Sequence, residues 1–186
     1  WAAGVVENMA RSPQGGDRAQ IRAVAVGVCD IAIVNTYYYG RMQEADDAAT
    51  RDTASKVGLF FPNQQGRGTH VNVSGAGVTR HAPHPDAAVR LLEYLTNDAA
   101  QRWYAQVNYE YPVVPEVDVS ETVGGWGHPF RQDDLPLTRL GELNAEAVRI
   151  FDRVGWRGGR RRPRQCARAA GTARRERDRL GDGARR

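Results

Sequence analysis

The chain reads as an α/β protein, and two patterns predict this. Short apolar runs at 29–34, 57–62 and 70–78 have the length and composition of strands. They alternate with longer polar stretches in which apolar residues recur at helical spacing. At 186 residues with 41% apolar content, the chain can bury the core of one large domain or two small ones. A mean hydropathy of -0.59 and the lack of any long apolar run argue against a membrane protein.

Taken in order, residues 1–11 read as the end of a helix, and Ser12-Pro13-Gln14-Gly15-Gly16 is a turn cluster. Asp17 is placed to cap a helix over 18–26. Ile21, Val24 and Ala25 form its apolar face, and Gly27 is its stop. The strand at 29–34 follows, then a polar helical stretch over 40–55, then a strand at 57–62 that Pro62 ends. A glycine-containing turn over 63–69 leads to the strand at 70–78. Residues 86–95 form an amphipathic helix with Val89, Leu92 and Leu95 on one face. Thr96 or Asn97 caps a second helix over 98–106 that carries Trp103 and Tyr104. Prolines keep 109–115 extended, and a last helix over 140–154 ends at Gly155-Trp156.

Composition changes abruptly at Gly158. The segment 158–186 has no Val, Ile, Phe, Trp or Tyr, and Leu180 is its only large apolar residue. Such a stretch is expected to be disordered, because it cannot bury enough surface to offset chain entropy. It holds eleven Arg against Glu176, Asp178 and Asp182, a balance of +8. The formal +4 of the whole chain therefore leaves -4 for residues 1–157. The body is mildly acidic, and Lys56 is the only lysine. Cys29 and Cys166 lie far apart without metal-type or redox-type neighbours, and Cys29 is expected to be a small buried hydrophobe. Trp1-Ala2-Ala3-Gly4 has neither an initiator Met nor the features of a signal peptide, so a chain cut short at its N-terminus is expected.

Asn35-Thr36-Tyr37-Tyr38-Tyr39-Gly40 stands directly after the first strand. Ligands of open α/β sheets collect beyond the carboxyl ends of strands. Phenolate is a hard oxygen donor suited to hard cations, and a bound cation ionises a hydroxyl whose free pKa is about 10. The competing reading is an aromatic cluster that packs at a strand end.

The residues around this motif resemble the ferric-iron-binding proteins of bacterial ABC importers. The resemblance is carried by Cys29-Asp30-Ile31-Ala32-Ile33-Val34-Asn35-Thr36-Tyr37-Tyr38 and His70-Val71-Asn72-Val73-Ser74-Gly75-Ala76-Gly77-Val78. It continues through Ala87-Ala88-Val89-Arg90-Leu91-Leu92-Glu93-Tyr94-Leu95 and Asn108-Tyr109-Glu110-Tyr111-Pro112-Val113. It ends at Val148-Arg149-Ile150-Phe151-Asp152-Arg153-Val154-Gly155-Trp156. It implies a two-lobed fold of the periplasmic-binding type II kind, of which this chain holds the C-terminal portion. Residues 1–67 would belong to the second lobe, 68–118 to the first and 119–157 to the second again. It implies that Tyr37 and Tyr38 bind Fe3+ as phenolates and that Tyr39 is a wall of the site. Asn35 would help hold a synergistic anion, and the remaining ligands would lie upstream of Trp1. It further implies a monomeric, periplasmic binding protein that hands iron to a membrane permease and is not an enzyme.

Other motifs carry less. His70, His81 and His84 are expected at the solvated surface, since His81-Ala82-Pro83-His84 is a weak metal spacing. The glycines around Ser74 match neither a nucleophile elbow nor a phosphate loop. The Arg-rich tail could contact nucleic acid but has no aromatic residue for stacking, so no nucleic-acid partner is expected. A shifted reading frame in a GC-rich gene accounts for its Arg, Ala and Gly. A binding protein for a different small solute, with the tyrosines stacking on it, is the remaining alternative.

Overall fold

A computed structural model describes residues 1–156. The tail at 158–186 and Cys166 lie outside the described residues. The chain divides into two compact units, one of Trp1–Ser12 with the residues from Ala147 on, the other of Pro13–Glu146.

In the first unit, α1 spans Ala2–Glu7. The unit also contains the last turns of a helix over Leu137–Val154 (α8, numbered after the helices below). Trp1 stacks on Trp156 at 6.4 Å between ring centroids, and Phe151 lies 4.9 Å from Trp156. The Trp156 N–H donates to the Phe151 carbonyl at 3.0 Å, a bond that folds the chain back where the helix stops. The expected end of this helix at Val154 is thus observed, while its start lies slightly earlier, at Leu137.

The second unit holds α2 (Asp17–Ala25), α3 (Thr36–Gln43) and α4 (Ala48–Ser55). These are followed by α5 (Pro85–Leu95), α6 (Asp98–Trp103), which runs on as a π-helical turn over Tyr104–Asn108, and the short α7 (Glu121–Gly124). Its core is built from Ile21, Tyr39, Met42 and Ala54, one or two residues from each of α2, α3 and α4. Val34, Tyr38, Val57, Leu59 and Trp126 pack against that core. Gly27, at φ +74, ends α2 as expected, since a left-handed residue lets the Val28 N–H turn back to the Ala23 carbonyl at 2.9 Å. Asn97 is the cap of α6, its side chain accepting from the Ala100 N–H.

Two local expectations are corrected. Asp17 does not cap its own helix: Gly16 is the N-cap and Asp17 the first helical residue, its carboxylate reaching Asn35 instead. The three strands do not form a sheet. Among the described residues the backbone bridge observed is a single parallel one, Thr69 to Gln132. The runs at 29–34, 57–62 and 70–78 are irregular, and Ile31 and Ile33 are 83% and 79% exposed. The physical reason is that a strand is a pairwise object. An apolar extended run with no neighbour alongside has no ladder to join. The expected apolar face of α5 is only partly covered: Val89 is exposed, Leu92 and Leu95 are half-buried, and no residue of the helix is fully buried.

Candidate metal centre

Helix α3 begins at Thr36 because Asn35 is held extended just before it. The Asn35 backbone N–H donates to Asp17 Oδ1 at 2.7 Å, and its Nδ2 approaches the same oxygen at 3.4 Å. The Asn35 Oδ1 accepts from Asn72 Nδ2 at 3.0 Å. Asn35 therefore ties together α2, α3 and the segment around residue 72.

Tyr37 and Tyr38 fall in the first turn of α3, both half-buried, with ring centroids 4.2 Å apart at 32°. Hydrogen bonding to the Tyr38 side chain is the main reason the Tyr37 pKa is pushed up to about 12; burial and the negative charges of Asp17 and Glu110 push it the same way. The two phenol rings thus lie side by side where a cation could sit. Adjacent residues on a regular strand point to opposite faces. The helical turn is what allows the two rings to converge.

Tyr39 is turned into the core. It is 8% exposed, its hydroxyl donates to the Val57 carbonyl at 2.7 Å, and its ring lies 5.9 Å from Trp126. Burial raises its pKa as well. With its oxygen committed to Val57, it stands apart from the pair.

A polar chain flanks Tyr37 on another side. The Arg41 guanidinium lies 5.6 Å from the Tyr37 ring centroid and donates through Nη2 to Asn108 Oδ1. Asn108 Nδ2 donates in turn to Glu110 Oε1 at 2.7 Å. Between these residues, Tyr109 takes φ +58 and presses against Gly40: a Cβ on Gly40 would lie 2.7 Å from the Tyr109 Cβ. No role for Arg41 was legible in the sequence, nor for Asn108 or Gly40 within the motifs that contain them. The one available signal was Arg41 lying four residues after Tyr37, one helical turn on.

His70, His81 and His84 are all exposed, as expected. Among the described residues no group of three or more His, Cys, Asp or Glu side chains is arranged to hold a metal. The donor set available is therefore the phenol pair, with the carboxylates of Asp17 and Glu110 near it. Hard oxygen donors of this kind fit a hard trivalent cation. Two donors alone do not fill its coordination shell.

Residues 27–128 match the family described as bacterial extracellular solute-binding protein. The chain belongs to that family. As a solute-binding protein it is 48% identical over 157 residues to iron uptake protein A1 of Synechocystis sp., covering 84% of this chain and 43% of that protein. A Trichodesmium protein solved with iron and citrate ligands is 46% identical, with a TM-score of 0.78, covering 84% of this chain and 49% of that one. The ferric binding protein of Campylobacter jejuni is 39% identical with a TM-score of 0.80, over 83% and 49% of the two chains. This solute-binding chain thus has the fold of the ferric-binding proteins over its described length. It spans about half the length of the relatives it matches.

Proposed function

We propose that this chain carries the tyrosine part of a ferric-ion site in the solute-binding component of an ABC importer. The observation that carries the reading is the pairing of the Tyr37 and Tyr38 rings, 4.2 Å apart between centroids, in the first turn of α3. The relative solved with iron and citrate supports ferric iron as cargo, with a synergistic anion beside it. Asn35 is the proposed anion contact, being held one residue before the helix and two before Tyr37. Two phenolates offset two of the three charges on the ion.

In the whole protein, residues 1–67 and 119–157 would contribute to one lobe and 68–118 to the other, with iron in the cleft between them. The runs at 29–34, 57–62 and 70–78 would be strands of an α/β sheet completed by residues that this chain does not contain. Closure over iron would present the loaded protein to a membrane permease. The family to which the chain belongs is extracellular, in keeping with a periplasmic site of action.

Titration with ferric citrate tests the reading. A visible phenolate-to-iron charge-transfer band should appear and should vanish in the double variant Tyr37→Phe, Tyr38→Phe. A band that survives the double substitution would defeat the assignment.

A further inference from the structure

We infer that Arg41 is an anion-binding residue of this site, taking a carboxylate of citrate or a like hydroxycarboxylate that arrives with the metal. The inference rests on the tyrosine reading and adds to it a residue that selects the form of the cargo.

Arg41 follows Tyr37 by one helical turn, so both side chains rise from the same face of α3. Its guanidinium lies over the Tyr37 ring, 5.6 Å from the centroid. One nitrogen is anchored, Nη2 to Asn108 Oδ1, and the anchor is itself held by Glu110 at 2.7 Å. That anchor is a neutral amide. Among the described residues Arg41 makes no ion pair, and the side chain is exposed. A guanidinium offers five N–H donors in a planar fork. With one edge fixed by Asn108, the remaining donors are oriented for a bidentate carboxylate beside the phenol pair.

Charge gives the reason for a cation there. Two phenolates leave a ferric ion with a single positive charge, and a tricarboxylate more than cancels it. The carboxylates of Asp17 and Glu110 also act on Tyr37 and would repel an incoming anion. Arg41 lies against the same ring and opposes them. The competing role is mechanical: the Arg41–Asn108 bond could merely pin α3 to the π-helical turn.

The two roles separate by the source of the iron. Each protein is titrated with ferric citrate and with ferric acetohydroxamate, which brings no carboxylate, and the charge-transfer band is followed. Arg41→Gln keeps an amide able to bond Asn108 but removes the charge and the fork. It should bind iron from citrate about tenfold more weakly, the size of one lost charge-assisted pair, and load from acetohydroxamate like the parent chain. Arg41→Lys, which keeps the charge alone, should fall between. Undiminished citrate affinity in Arg41→Gln, or an equal loss from both sources, would overturn the assignment while leaving the tyrosine pair standing. No band in the parent chain from either source would overturn the tyrosine reading and Arg41 with it.

Discussion

The carboxylate of Asp17 accepts the backbone N–H of Asn35 at 2.7 Å, across eighteen residues of chain. Through that bond the first turn of α2 fixes where α3 begins, and so where Tyr37 and Tyr38 stand. Asp17 is partly buried, so removing it strands a backbone donor in a place that water reaches poorly. Asp17→Ala should lower stability by about 1–2 kcal/mol, as the loss of a helix cap does, and should weaken iron binding as α3 frays. Asp17→Asn retains an acceptor oxygen and should restore most of the stability. Denaturant midpoints of the three proteins check this; equal midpoints for Ala and Asp would dismiss the bond as unimportant.

The three tyrosines should separate by function. Tyr37→Phe and Tyr38→Phe keep the rings and remove the oxygens, so each should weaken the charge-transfer band and the iron affinity with little change in stability. Tyr39→Phe should do the reverse. It leaves the Val57 carbonyl without its 2.7 Å partner at a cost of about 1 kcal/mol, and it should retain the band. Absorbance titration paired with thermal unfolding of the three variants distinguishes them.

Much of this arrangement was legible in the sequence because it is local. The tyrosine pair is adjacent, the stop at Gly27 and the cap at Asn97 obey short-range rules, and the end of α8 follows from Gly155-Trp156. What was not legible is non-local. Asp17 satisfies every local rule for an N-cap, yet its carboxylate bonds a residue in another element. Whether the run at 29–34 pairs depends on a neighbour, and no property of Ile31 or Ile33 supplies one. The approach of Tyr109 to Gly40 joins residues far apart in the chain, and a glycine after three tyrosines reads locally only as a break in aromatic character.

That approach yields its own prediction. A Cβ on Gly40 would lie 2.7 Å from the Tyr109 Cβ and 3.0 Å from the Trp126 ring. Neither neighbour is the free end of a flexible chain, so α3 or Tyr109 must shift. Gly40→Ala should cost about 1–3 kcal/mol, as overpacking does. It should also move the Trp126 fluorescence, because that ring lies against the substituted position. An unchanged unfolding midpoint would show that the contact has slack.

Iron binding should strengthen with pH. The Tyr37 hydroxyl, bonded to Tyr38, has its pKa pushed up to about 12, so near neutrality it is protonated and a cation must displace that proton. Each proton released raises the affinity about tenfold per pH unit. If both phenols are ligands, the logarithm of the affinity should climb with a slope near two once hydrolysis of the competing iron complex is accounted for. Stability of the iron-free chain should run the other way. A hydroxyl whose folded pKa exceeds its unfolded value near 10.0 stabilises the fold fully below that value and ceases to do so as pH rises towards 12. Tyr111, also pushed up to about 12, in its case by burial, adds to that loss. Its hydroxyl is buried without a hydrogen-bond partner, so Tyr111→Phe should leave stability near neutrality unchanged or improved and should flatten the alkaline decline. Denaturation between pH 8 and pH 12, with and without ferric citrate, measures both trends, and a slope near one would remove one tyrosine from the ligand set.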